Sequence, residues 1–149
     1  MGEISLARID SRLASGQVVK DWCEKYGLKK VIIANDRTAE DPIRIEVMDL
    51  TIPEEIESTY LKVAGVKDFL DKNEGAYFLL VETTCDLEKI LDVGVSIKEV
   101  NVGIIHLSIS TPDHFRAFRR FSRAPSTNLV LSVSSILKSI FPPVCLAYR

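Results

Sequence analysis

Apolar positions come in short blocks, and their spacing changes repeatedly along the chain. Ile4 to Ile9 is an apolar run that reads as a buried strand. From Gln17 to Tyr26 the period becomes helical, with Val18, Val19, Trp22, Cys23 and Tyr26 on one face. Gly27 is placed to stop that helix as a left-handed terminal residue. Lys29 to Ala34 gives a second strand, ending in Asn35-Asp36-Arg37. Asp41-Pro42 predicts a cap and a first-turn proline, opening a helix of about eight residues. Within it, Ile43, Val47 and Leu50 fall near helical spacing and are predicted to face the sheet.

Glu55 to Lys62 fits a strand or a helix. Val66 to Lys72 predicts a short helix with Phe69 and Leu70 inward, leaving through Asn73-Glu74-Gly75. Tyr77 to Val81 is continuous, aromatic and β-branched, the pattern of a strand buried on both faces. Asp86 to Asp92 is helical with Gly94 behind it, and Glu99 to Val102 is a further strand. Strands alternating with helices predict an α/β fold in three layers, an open, mainly parallel twisted sheet with helices on both faces.

Beyond Gly103, Ile104 to Ile109 reads as a strand and Thr111-Pro112-Asp113 as a helix start. Phe115, Phe118 and Phe121 follow at three-residue spacing, with Arg116, Arg119, Arg120 and Arg123 beside them. That stripe suits either a docking face for an acidic protein, anionic lipid or nucleic acid, or a solvated face over an apolar one. Asn128 to Val133 alternates as a half-exposed strand does, and Ser139 to Arg149 has no recognisable pattern. Asn128 to Tyr148 is rather apolar, but Lys138, several serines and Pro142-Pro143 interrupt it, so it does not read as a membrane span.

Composition narrows the class. The 149 residues fit one domain, 46% apolar and 27% charged, as in a soluble globular protein. A net charge of −2 argues against an electrostatic nucleic-acid binder. Cys23, Cys85 and Cys145 are widely spaced, which suits neither a disulfide framework nor a zinc site and points to a reducing compartment. Met1-Gly2-Glu3-Ile4 has no basic region and no long apolar core, so it does not read as a signal peptide. Dinucleotide, Walker and zinc-protease motifs are missing.

Candidate chemistry gathers in the polar turn between the first strand and the first helix, which holds Asp10, Arg12, Ser15 and Gly16. Open α/β sheets place ligands at such turns, and the first helical amides favour an anion. Arg12 adds a planar cation whose fork suits phosphate oxygens. A plainer reading competes: Ser15 as a helix cap, and Arg12 paired with Asp10.

The segment Arg8-Ile9-Asp10-x-Arg12-Leu13-x-x-Gly16-Gln17-Val18-Val19 resembles the signature of IIB subunits of the mannose/sorbose type of bacterial sugar phosphotransferase system (PTS). Asp36-x-x-Ala39-x-Asp41-Pro42-x-Arg44, then Pro53, and Gly94-Val95-x-Ile97-Lys98-Glu99-Val100-Asn101-Val102-Gly103 extend the likeness. It is strongest over residues 1–105 of a single domain spanning 1–149, with 111–149 divergent. The resemblance favours a third strand at Glu55 to Lys62.

It also implies a protein-phosphohistidine–sugar phosphotransferase working without cofactor or metal. Its partners would be a IIA protein and a membrane IIC/IID permease, with no nucleic acid, at the inner face of the membrane. A homodimer stays open. Arg12 and the amides of Gly16 and Gln17 would hold the phosphoryl group, Asp10 would orient Arg12 or the nucleophile, and Asp36, Asp41 and Arg44 would rim the pocket. The family pattern reads Arg-Leu-Ile-His-Gly-Gln, and its histidine takes phosphate from IIA; this chain has Ser15 there. A neutral imidazole is a nucleophile near pH 7, whereas a serine hydroxyl needs an adjacent base. Asp10 is the only carboxylate in the turn, and an ordinary carboxylate is a poor base for an alcohol. Such a chain is expected to lack carrier chemistry, either as a regulatory or inactive paralogue in which Ser15 is natural or as a working carrier into which Ser15 was introduced; the alternative is a regulatory or anion-binding module on the same fold. The two histidines, His106 and His114, lie outside the signature.

Overall fold

The computed structural model describes residues 1–104 and the backbone of Val130–Ser132. The elements, in chain order, begin with β1 (Glu3–Ile9), α1 (Gly16–Tyr26), β2 (Lys30–Ala34), α2 (Asp36–Ala39) and α3 (Pro42–Asp49). They continue with β3 (Glu57–Leu61), a 3-10 turn at Val63–Gly65, α4 (Val66–Lys72), β4 (Ala76–Val81), α5 (Thr84–Asp92), β5 (Ile97–Val102) and β6 (Val130–Ser132). The sheet order is β3-β2-β4-β1-β5-β6. The first five strands pair in parallel, and β6 runs antiparallel to β5, with Val100 opposite Leu131.

Period-two alternation divides the core between the two faces of the sheet. Ile9, Ile32, Leu79 and Val81 point to one face, where Val66 and Leu70 of α4 and Leu87 and Ile90 of α5 cover them. Leu6, Val31, Ile33, Phe78 and Leu80 point to the other, under Val19, Trp22 and Cys23 of α1. β4 is central and buried on both faces, which is why its sequence is continuously apolar. Gly27 ends α1 at φ 64°, and the amide of Leu28 donates to the Cys23 carbonyl at 2.8 Å, closing the helix as its sequence predicts.

Three local results differ from, or sharpen, the sequence reading. The ambiguous stretch is a strand: Glu57–Leu61 pairs with β2 and is half-buried at the sheet edge. α2 was not predicted; it forms because the Asn35 side chain accepts from the Thr38 amide at 2.9 Å and from its hydroxyl at 3.0 Å. Most important, Ile43, Val47 and Leu50 do not face the sheet. They are 74%, 58% and 82% exposed.

α3 carries a second apolar set, the half-buried Ile45 and Met48 leading to Ile52, and of these Met48 and Ile52 pack on the core. In that orientation Asp49 accepts from Ser58 Oγ at 2.6 Å and from Tyr60 Oη at 2.8 Å, which tethers the helix end to β3. Of the later expectations, a strand near Asn128 to Val133 is present as β6. The strand at Ile104 to Ile109, the helix from Thr111 with its arginines, and the tail from Ser139 fall outside the described residues, apart from the strand's first residue, Ile104.

Candidate functional site

The β1–α1 turn sits at the carboxyl edge of the sheet, between the ends of β4 and β5. The Asp10 amide donates to the Val81 carbonyl at 2.9 Å, Gly103 to Ile9 at 2.8 Å, and Ser11 to Ile104 at 2.7 Å. Within the turn the Leu13 amide returns to the Asp10 carbonyl at 2.8 Å. Leu13 is the only described non-glycine residue with positive φ, at 57°, a conformation that costs an L-residue about 1–2 kcal/mol. Its side chain is 1% exposed and packs into the cluster beneath α1. Burial of a leucine contributes about 1.5–3 kcal/mol, enough to hold the strained backbone. With Leu13 turned in, Arg12 is exposed and Ser15 half-exposed.

Beneath the turn lies a charged cluster whose members the signature contains but whose contacts only the fold reveals. Arg8 donates from Nε and Nη2 to Asp10 Oδ2, at 3.1 and 2.8 Å, and from Nη1 to Asn101 Oδ1. The other carboxylate oxygen, Asp10 Oδ1, accepts from the Arg12 amide at 3.0 Å. Arg8, Asp10 and Asn101 are all buried. A buried ion pair persists only when both charges are paired and hydrogen-bonded, as here. Gly103 closes the cluster from above: a Cβ there would lie 2.4 Å from Arg8 Nη2 and 2.6 Å from Asp10 Oδ2.

These contacts correct the simple pairing of Arg12 with Asp10. Asp10 orients Arg12 through its backbone amide, while Arg8 takes the carboxylate charge. Among the described residues, Arg12 forms no salt bridge. The sequence did carry a signal for Arg8, because a charge inside an otherwise apolar strand needs a buried partner.

Ser15 occupies the N-cap position in extended conformation, but its hydroxyl caps nothing. Its carbonyl accepts from the Val19 amide at 2.9 Å. No acidic residue stands in the first turn of α1. The Gln17 side chain donates to Asp21 Oδ1 at 2.7 Å, so what Gln17 can offer an anion is its backbone amide. Gly16 is pressed by the chain after α3: a Cβ at Gly16 would sit 1.8 Å from the Thr51 carbonyl oxygen.

The residues expected at the rim hold local backbone. Asp36 Oδ1 accepts from the Val63 amide at 2.9 Å, and Asp41 Oδ1 caps α3 by accepting from the Arg44 amide at 3.1 Å. Arg44 is exposed, and no hydrogen bond or ion pair joins these three to the turn. Along the same edge, Asn35 Nδ2 donates to Glu82 Oε2 at 2.5 Å.

Under α1, burial pushes the Cys23 thiol up to about 11, which makes it unreactive at neutral pH. Burial, and then the hydrogen bond to Glu99, raises Tyr26 to about 12. Among the described residues, no group of histidine, cysteine and carboxylate side chains is placed to hold a metal, and no helix is long and apolar enough to cross a membrane.

Residues 4–113 match the family described as PTS system sorbose subfamily IIB component. The N-acetylgalactosamine-specific phosphotransferase enzyme IIB component 2 of Escherichia coli K12 is 32% identical over 108 residues, covering 71% of this chain and 69% of that protein. The fructose-specific EIIB component of Bacillus subtilis 168 is also 32% identical, over 106 residues, covering 69% and 65%. The mannose-specific EIIAB component of E. coli K12 is matched over only 32% of its length, at 31% identity. The solved N-acetylgalactosamine-specific IIB component 1 of E. coli superposes with TM-score 0.70 at 23% identity, over 91% of this chain and 87% of that one. The IIB domain of the sorbose permease of Klebsiella pneumoniae gives 0.66 at 21%, over 94% and 99%. With three-quarters of its length inside the family pattern and the same three-layer sheet, the chain belongs to the sorbose subfamily of PTS IIB components.

Proposed function

We propose that this chain stands where a IIB phosphoryl carrier stands, between a IIA protein and a membrane IIC/IID permease, but does not itself carry phosphate. The observation that supports this is the state of the one carboxylate in the turn. Asp10 has one oxygen on the Arg8 guanidinium and the other on the Arg12 amide. Both oxygens are thus already engaged, which disfavours Asp10 as a base for the Ser15 hydroxyl, and an unassisted alcohol is a weak nucleophile. A phosphoserine ester also lacks the transfer potential of a phosphoramidate, so onward delivery to a sugar would be uphill.

In a competent relative the turn would act by positioning and charge. Arg12 and the amides of Gly16 and Gln17 would hold the equatorial oxygens during an in-line transfer to position 15. Asp10, fixed by Arg8, would keep Arg12 at the right height. Such a protein would work at the cytoplasmic face of the membrane, held there through the permease.

The test is a phosphorylation assay with phosphoenolpyruvate, the general transfer proteins and the IIA protein of the same system, run on this chain and on Ser15→His. The expected result is no acid-labile label on this chain and clear label on the variant. Label on the unaltered chain would refute the proposal.

A second reading, an anion or sugar-phosphate sensor on the same fold, is favoured by one fact: α1 opens with neither a capping side chain nor an acid in its first turn. Calorimetric titration with inorganic phosphate and sugar phosphates tests it. Binding abolished by Arg12→Ala supports the sensor, and no binding at millimolar ligand removes it.

A further inference from the structure

Among the described residues, the exposed stripe on α3 has no packing partner. Six large apolar residues are strongly exposed in the described chain, and three of them, Ile43, Val47 and Leu50, lie on this one helix. Their spacing, i, i+4 and i+7, puts them on one face. The opposite face is already occupied, with Met48 packed on the core and Asp49 tied to Ser58 and Tyr60. Singly scattered apolar residues are ordinary on a surface, whereas a contiguous row marks a contact.

The position of the row tells which contact. α3 runs directly into Thr51, whose carbonyl presses against Gly16 at the start of α1. α3 and α1 therefore lie on the same side of the sheet, and the row ends at Leu50, next to the residue that abuts the start of α1. A phosphoryl donor must bring its phosphohistidine within about 3–3.5 Å of the atom it loads. A protein domain approaching position 15 that closely extends over its neighbours; beside the single exposed Ile104, whose carbonyl accepts from the Ser11 amide, α3 offers a row of three apolar anchors.

Size decides between a transient partner and a second copy. An eight-residue helix is about 12 Å long, too short to supply by itself the roughly 800 Å² per partner of a stable interface. A small apolar row suits an encounter that must dissociate after each transfer.

From these observations we infer that the Ile43–Val47–Leu50 face of α3 docks the IIA-type phosphohistidine protein that addresses the Ser15 turn. This rests on the function proposed above and adds the surface that the partner uses. Serine at position 15 leaves the surface intact, so the chain retains the docking step even where it lacks the transfer step.

The test has two independent readouts. The full chain, labelled with nitrogen-15, is titrated with the IIA protein of the same transport system, and amide shifts are mapped. In parallel, phosphoryl label is followed from that IIA protein onto Ser15→His. Both are repeated with Val47→Glu/Leu50→Glu and with Val93→Glu, an exposed apolar residue on another surface.

Shifts are expected over residues 43–51 and 11–17. Affinity and labelling rate should each fall at least about tenfold in the α3 double variant, as when an interface loses an anchor side chain, and stay unchanged in Val93→Glu. Normal labelling with an unaffected double variant would overturn the docking face and leave the proposed function standing. Shifts at α3 without label on Ser15→His would keep the face and sink the reading of position 15. Neither shifts nor label would remove both. A wild-type dimer in sedimentation that the double variant dissolves would make a second copy the occupant. Without any partner, shifts in residues 105–149 of the double variant would make the chain's own segment the occupant. Either result overturns the IIA assignment.

Discussion

Two segments on the same side of the sheet carry similar raw material, and the fold uses them in opposite ways. Around β1 and α1, the apolar residues turn inward and the polar ones form a shaped turn. Leu13 is buried at the expense of its backbone, and Arg8, Asp10 and Asn101 lock together beneath. Around α3, the more regular apolar row turns outward. The difference teaches that a helix flanked by two apolar rows is held by its polar tethers as well as by its packing. In α3 a single carboxylate, Asp49, holds the end of the helix to β3 in this orientation. In α1 no such choice arises, because Val19, Trp22 and Cys23 make one coherent inner stripe.

The contrast can be broken experimentally, most strongly at the buried charge. Arg8→Met removes the cation and leaves Asp10 buried without its partner; loss of one member of a buried pair costs about 3–5 kcal/mol. A loss of unfolding free energy of that size, read from a lower urea midpoint, is expected, together with loss of phosphate transfer in the Ser15→His background. A midpoint unchanged within error would show that the cluster does not hold the turn.

Gly16→Ala tests the seam between the two regions. The added methyl meets the Thr51 carbonyl at an impossible distance, so α3 or the start of α1 must move, and overpacking of this kind costs about 1–3 kcal/mol. Amide shifts should appear at both Gly16 and Thr51. Changes confined to residues 10–17 would mean that the regions are not mechanically joined.

The smallest effect is expected at α3 itself. Val47→Glu exchanges one exposed side chain for another and should alter stability by no more than about 0.5 kcal/mol. A loss of several kcal/mol would mean that the row is buried in solution.

Much of this was legible from residues alone. The alternation of strands and helices gave the parallel three-layer architecture, and Tyr77 to Val81 announced a central strand. Gly27 and Asp41 marked helix ends where the structure has them. The Arg12–Gln17 turn was singled out on charge and spacing, and it stands at the carboxyl edge of β1. α2 was illegible because four residues are too few for periodicity, and its cap at Asn35 resembles a loop residue.

What the sequence determined was everything local in origin: which stretches extend, which coil, where each stops, and which turn gathers cation and helix amides. What tertiary structure alone decided was who pairs with whom. Arg8 meets both Asp10 and Asn101, and Asp10 does not pair with the nearby Arg12 guanidinium, because parallel pairing of β1 with β5 sets Arg8 beside Asn101. The orientation of α3 is held the same way, by Ser58 and Tyr60 on β3, residues that no helical period within α3 could disclose. Short-range propensities act over one or two turns of chain, whereas a buried charge or a two-faced helix is settled by partners brought in from other strands.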